Sequence, residues 1–252
     1  MALDTATDRL SVAVGTTHAN ALTADASGAN ALEEDVPGAR RHAGALVPVL
    51  DRLLARRGIG VADLAGVVVS DGPGSFTGLR VGASVAKALA RARGLPVRSA
   101  PSLMVRAAGV AEPSEMAPGG AIVLALSNAL RGEVYAAAYR IGPTRVETLL
   151  QPSVFRPEVL VSVAPRPDRV VGDGPAAALE FVAAWADRPV IGAPAGLPRA
   201  AVLLGLVGIE GGAQVVADVE RWEPVYGRPA EAQAKWELAH GRLLADPAGG
   251  AR

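Results

Sequence analysis

The chain has 252 residues, half of them apolar, with equal numbers of basic and acidic side chains and no cysteine. That length and apolar content allow one large domain or two lobes around a sizeable core, and they exclude intrinsic disorder. Without cysteine there are no disulfides or thiolate metal sites, and a zero net charge lacks the basic excess of a dedicated nucleic-acid binder. The opening Met-Ala-Leu-Asp is not a signal peptide, and no window is long and apolar enough to span a bilayer. A cytoplasmic protein with no membrane partner is expected.

In chain order, Ala2 to Thr5 reads as a very short strand, Thr7-Asp8-Arg9 as a polar turn, and Leu10 to Gly15 as a second strand. Ala19 to Ala26 is a candidate third strand, and the polar, glycine-containing Ser27 to Arg40 reads as loop. Arg41 to Arg57 has helical periodicity, with Leu46, Val49, Leu50, Leu53 and Leu54 on one face and Asp51, Arg52 and Arg56 on the other. Pro48 cannot bond the carbonyl of Gly44, so this helix begins just before it or kinks there. The flanking pairs Arg40-Arg41 and Arg56-Arg57 read as a solvated rim.

Val61 to Ala65 is a turn or helical piece, and Gly66 to Ser70 (GVVVS) is a continuous apolar strand suited to a sheet covered on both faces. The stretch DGPGSFTGLRVG, Asp71 to Gly82, follows. Leu79 to Arg93 is then helical, with Val81, Val85, Ala88 and Leu89 on one stripe and Gly94 and Pro96 as the stop. Val97 to Ala100 is a strand, and Ser102 is placed to cap a helix from Leu103.

Val110 to Gly120, rich in proline, glycine and acid, marks a lobe boundary. Ala121 to Ser127 and Glu133 to Arg140 form a hairpin across NALRG, which Val146 to Leu150 extends. Pro157 to Val163 is a short helix, Arg169 to Gly174 a strand entering a turn, and Pro175 to Ala186 a helix with proline in its first turn. PVIGA is a last short strand, Pro198 to Val207 an apolar helix, Glu220 to Pro229 extended, and Ala230 to His240 a final helix. Both halves share one order, strands in a meander and then helices alternating with short strands, which argues for two α/β lobes.

The glycine-rich loop lies between a strand and a helix start, the setting of an anion site. It has no P-loop lysine and no dinucleotide fingerprint, and its glycines serve equally to turn a buried strand sharply into a close-packed helix. Ser75 or Thr77 reads as an N-cap, because His18, His42 and His240 form no triad with either. His42 has no second histidine one turn away, so it reads as a packing residue rather than a metal ligand.

Several stretches in order carry a family resemblance: ALDTATDRLSVAV, RRHAGALVPVLDRLL, VVVSDGPGSFTGLRVGASVAKALARARGLPV followed by PSL, GEVYAAAY, VVGDG and EPVYGRP. Together they resemble the TsaB (YeaZ) family, a subunit of the bacterial machinery that makes threonylcarbamoyladenosine in tRNA. The resemblance covers most of the chain and is strongest from Arg41 to Leu103, with GPGSFTGLR its most specific piece.

The resemblance implies an α/β, two-lobed actin-like ATPase (RNase H-like) fold, with mixed sheets flanked by helices. Residues 1–100 would form the first lobe with 197–229 returning to it, 101–196 the second, smaller lobe, and 230–252 an exposed tail helix. It implies a non-catalytic scaffold that activates a TsaD-like transferase, with no catalytic residue, cofactor or metal of its own. In keeping with lost chemistry, DTATDR after the third residue has no glycine to admit a phosphate, and the first long helix offers only His42 where TsaD has paired metal histidines. Asp4, Asp71, Gly72 and Gly74 would then be a vestigial pocket.

The family pairs with TsaD through its first two long helices. The candidate interface is therefore His42, Leu46, Val49 and Leu53 on the first and Arg80, Gly82, Ala83, Val85 and Ala86 on the second. Small residues allow close helix approach, although the same stripe serves equally as ordinary core. A TsaE-like ATPase, tRNA reached only through the complex, and a homodimer of the free chain complete the implied partners. Two other functions compete: an ATP-dependent phosphotransferase using Asp4, Asp71 and the glycine loop, and a peptidase, for which no base or metal cluster is visible. The chain departs from the family in its very short first strand, in Asn128-Ala129-Leu130 where Asp-Ala-Arg is usual, and in Gly227 where leucine is common.

Overall fold

The computed structural model describes residues 1–17, 31–38, 42–111, 119–129 and 131–226. The candidate strand Ala19–Ala26, Arg41, Leu130, Gly227 and the tail helix Ala230–His240 lie outside the described residues.

Two sheets repeat one order of elements. The first is built from β1 (Ala2–Asp4), β2 (Arg9–Gly15), β3 (Ala31–Pro37), α1 (His42–Arg57), β4 (Val67–Ser70), α2 (Phe76–Arg93), β5 (Val97–Ala100) and α3 (Ser102–Gly109). The second is built from β6 (Ala121–Asn128), β7 (Val134–Ile141), β8 (Val146–Phe155), α4 (Pro157–Val163), β9 (Arg169–Gly172), α5 (Ala176–Ala186), β10 (Val190–Ile191) and α6 (Ala200–Leu206). In each, a three-stranded antiparallel meander is extended by strands that run parallel to its first member. A final strand, β11 (Gln214–Val215), returns antiparallel to β5 and gives the first sheet the order β11-β5-β4-β1-β2-β3.

The apolar side chains sort into layers. One face of the first sheet (Leu3, Val12, Val69) packs on α1 and α2. Its other face (Ala2, Ala13, Val68) meets α3 and α6, which in turn meet Val123, Ala137 and Tyr139 of the second sheet. The far face of the second sheet, with Leu124 and Val170, packs on α4 and α5. VVVS of β4 is buried at every position, as expected of a strand covered on both faces.

Four expectations are corrected. Residues 31–37 are a strand rather than loop, because each acidic side chain that made ALEEDVP look solvated has a partner. Glu33 bonds Arg199, Glu34 bonds Arg52, and Asp35 bonds Arg9 at 2.9 Å. Ser102 does not cap α3; its hydroxyl donates to the carbonyl of Pro73, and Pro101 holds the cap position. Of the two readings of Pro48, a helix start just before it is the one excluded, since it sits inside α1, which starts a turn and a half earlier. The short strand at Val190–Ile191 is not the last, since β11 follows.

Candidate functional site

Two regions carry the sequence-derived candidates: the cleft end of the first sheet and the α1–α2 face.

At the cleft, Asp4 ends β1 beside Ser70 of β4 and is fully buried. One carboxylate oxygen accepts from the amide of Ala6 at 3.2 Å, while Oδ2 has no hydrogen-bond partner among the described residues. Burial raises its pKa above the ordinary carboxylate value, opposed by the Ser70 hydroxyl, the Ala6 amide and the more distant Arg106 and Arg9. Asp71 follows β4, and burial raises its pKa too, against the Ser99 hydroxyl. Above it Tyr139 of β7 is wholly buried, and burial together with the charge of Asp71 pushes its hydroxyl well above the usual phenol range.

The structure brings Gly72 and Gly74 to the same place and shows their use. A Cβ at Gly74 would lie 2.3 Å from the carbonyl oxygen of Ala6, and one at Gly72 would lie 2.1 Å from that of Val225. Gly72 also has φ +109°, a conformation that strains any side chain. Three amides at this turn have partners: Ser75 N donates to Ala6 O at 2.7 Å, Gly78 N to the Ser75 hydroxyl, and Leu79 N to Ser75 O. Ser75 is the N-cap of α2. The glycines therefore bring backbone against backbone, with the Ser75 amide spent on a protein carbonyl and the Gly78 amide on the cap.

Two further cleft residues were missed from sequence. Arg106 of α3 is almost completely buried; it meets Asp173 at 2.5 Å and donates to Gly196 O at 3.3 Å, tying the first sheet's helix to the turn after β9. A lone arginine within the apolar SLMVRAAG was the available signal, and Asp173 lies in the VVGDG motif. Among the described residues no group of three or more His, Asp or Glu side chains is placed to hold a metal ion.

On the helix pair the candidate residues divide. Leu46, Val49 and Leu53 are at most 1 % exposed, facing the first sheet. Gly82, Ala83 and Ala86 also face inward, with a Cβ at Gly82 only 2.5 Å from the Thr5 hydroxyl oxygen. Of the two roles open to them, Gly82, Ala83 and Ala86 thus take the core side of α2. Its small residues let it lie close on the sheet, while Val81, Val85 and Leu89 are half-buried along its flank and Ala88 is exposed. His42 opens α1, and its side chain lies outside the described residues. The outward surface is carried by Val47, 59 % exposed, with Ala43 and Asp51 on α1 and Thr77 and Ser84 on α2.

Arg80 is exposed but committed to another contact. Its guanidinium stacks 4.4 Å from the Phe76 ring centre and 5.8 Å from that of Tyr226. Residues 218–226 form a strap along this side of α2, held by Lys87–Glu223 at 2.9 Å and by Val225 N to Asp71 O at 2.7 Å.

The comparisons with known proteins agree with this architecture. A family profile described as TsaD, tRNA N6-adenosine threonylcarbamoyltransferase, matches residues 36–193. The tRNA threonylcarbamoyladenosine biosynthesis protein TsaB of Escherichia coli K12 is 34 % identical over 143 residues, which cover 56 % of this chain and 54 % of that protein. TsaB of Haemophilus influenzae is 28 % identical over 255 residues, covering 96 % of this chain and 97 % of that protein. Among solved structures, YeaZ from Pseudomonas aeruginosa superimposes with a TM-score of 0.66 at 30 % identity, covering 89 % of this chain and 97 % of that one. With its two mixed sheets flanked by helices in the actin-like, RNase H-like arrangement, the chain belongs to the TsaD-like family, in its TsaB/YeaZ branch.

Proposed function

We propose that this chain is a non-catalytic subunit of the machinery that forms threonylcarbamoyladenosine in tRNA, and that it docks a TsaD-type transferase on the outer face of α1 and α2. The observation that carries the reading is the close packing of the glycine loop, whose residues 72 and 74 lie against the backbone of Val225 and Ala6. The name of its relatives supplies the pathway. The contact surface is Val47, Ala43 and Asp51 of α1 with Thr77, Ser84 and Val85 of α2, which shifts the expected interface outward by one helix face. A TsaE-like ATPase assists the pair, tRNA is met only in the complex, and the free chain pairs with itself through the same face.

A phosphotransferase has less support, because a nucleotide would have to displace backbone contacts to reach Asp4 and Asp71. The test mixes the purified chain with a TsaD-type transferase and follows size-exclusion chromatography with light scattering. A heterodimer is expected, Val47→Glu and Ser84→Arg should abolish it with unchanged melting temperature, and Leu46→Glu should unfold the chain. Failure of the wild-type chains to associate, or tight Mg-ATP binding by this chain alone in calorimetry, overturns the proposal.

A further inference from the structure

Two lobes that close on a ligand rotate about the segments that connect them, so those segments decide whether a hinge exists. One connection here is short. After α6 the chain runs through Gly208, Ile209, Glu210, Gly211 and Gly212 towards β11. Glu210 pairs with the second sheet at the start of its edge strand β8. Its carbonyl accepts from Val146 N at 2.8 Å, its amide donates to Thr144 O at 3.3 Å, and a parallel bridge joins it to Arg145. Four residues later Gln214 pairs with Ser99 of β5 in the first sheet. The stretch 210–214 is thus hydrogen-bonded into both sheets.

This stretch has little freedom of its own. Gly211 has φ +72°, and a Cβ there would collide with the carbonyl oxygen of Val146; one at Gly212 would collide with that of Leu206. Gly212 N donates to Ile209 O at 3.0 Å, Ala213 N to Leu206 O at 2.9 Å, and the Arg98 guanidinium to Ala213 O at 3.3 Å. Val146, Ile209 and Ala213 are buried in the core that α3 and α6 share with both sheets. The contact lies at the end of the second sheet where β6 starts, because Val146 pairs with Ile141 and Ile141 with Ala121. The cleft is at the other end. There Asp173 follows β9, which runs parallel to β6, and meets the buried Arg106 of α3.

We propose that residues 208–212 are an interlobe lock. They hold the second sheet at a fixed angle to the first, so the lobes move as one body and the cleft keeps its width when a ligand or partner is added. Contacts at both ends of the seam leave rotation only about the line between them. The close-packed α3 and α6 fill the layer that such a rotation would shear. The lock is independent of the proposed docking face, because α1 and α2 pack on the opposite side of the first sheet.

The chain has no cysteine, so a pair of spin labels can be placed cleanly. Ala92→Cys on α2 and Ala184→Cys on α5, both exposed, report the angle between lobes by pulsed electron double resonance, with labelled chain diluted in unlabelled chain. The distance distribution should show one peak that moves by less than about 2 Å on adding Mg-ATP or a TsaD-type transferase. A larger shift or a second peak overturns the proposal. The peak should widen at least about twofold in folded Gly211→Val and stay narrow in Asp173→Ala, which frees only the cleft end. An unwidened peak in the first variant, or widening only in the second, also overturns it. Hydrogen exchange of the unmodified chain needs no variant at the lock. The Val146 amide should exchange as slowly as those of β6, and exchange about tenfold faster or more shows local opening and overturns the proposal.

Discussion

Glu33 should be among the most costly single truncations in the first lobe. Its Oε2 accepts from Arg199 Nε at 3.0 Å and Nη2 at 2.7 Å, and its Oε1 accepts from the Ser11 hydroxyl and the Ala201 amide, both at 2.9 Å. Ser11 in turn accepts from Ala200 N at 3.0 Å. One carboxylate on the edge strand β3 thus anchors the start of α6, the helix that sits between the two sheets. The Arg199 side chain is 34 % exposed, so its ion-pair share is held to about 1 kcal/mol. Stranding the Ala201 amide and the Ser11 hydroxyl in a site where Glu33 is only 12 % exposed adds about 1–3 kcal/mol. Glu33→Ala should therefore cost about 3 kcal/mol, or about 6–12 °C of melting temperature for a chain of this size. Arg199→Ala leaves the Ser11 and Ala201 bonds in place and should cost about 1 kcal/mol. Urea unfolding and thermal melts of both variants check this. A loss below about 1 kcal/mol for Glu33→Ala, or equal losses for the two variants, would refute the anchoring argument.

Three further outcomes follow from the cleft. Gly74→Ala must move the Ala6 carbonyl from a 2.3 Å contact and should cost at least about 2 kcal/mol in a denaturant titration, whereas an alanine at the open Gly44 should not destabilise. Asp4 has a folded pKa raised above its unfolded value, so the folded state holds the extra proton. The stability this contributes is full below the unfolded pKa and is lost as pH rises through the folded one. Asp4→Asn should flatten that decline above the ordinary carboxylate range without abolishing it, because Asp71 shifts the same way; an unchanged slope in pH-dependent urea unfolding counts against the assignment. Asp173→Ala strands the buried Arg106 guanidinium and should cost about 3 kcal/mol, while Arg106→Met, apolar and of similar length, should cost much less; the reverse order in thermal melts contradicts the account.

Much of this molecule was legible because its signals are local. The helix Pro157–Val163 has the bounds read from the sequence, and VVVS, short and apolar but for Ser70, is a strand buried at every position. The repeated order of elements showed the two lobes. What sequence misread depended on distant partners. ALEEDVP looks solvated until Arg9, Arg52 and Arg199, brought in from three other elements, neutralise it. The phase of α2 stayed open for a related reason. Helical spacing puts Val81, Val85, Ala88 and Leu89 on one stripe, and the small residues Gly82, Ala83 and Ala86 suit either a partner or the core. Yet Thr5 and Val69 stand close enough to Gly82 that only a small-residue face fits there.

That same closeness links the two halves of the functional reading. Gly74 lies against Ala6, Gly82 lies against Thr5, and Ser75 both caps α2 and donates its amide to Ala6. These contacts seat the start of α2 on the turn after β1. Seating it there fixes the helix's height and rotation over the sheet, and with them the outward direction of Thr77 and Ser84. A loop rebuilt to admit a phosphate would lift α2 from Ala6 and Thr5 and turn its outer face. On this geometry, packing the loop and orienting the helix pair are one event, and if the partner docks on the outer face of α1 and α2 as proposed, Gly82→Val should weaken association in the same light-scattering assay although residue 82 faces Thr5 and Val69.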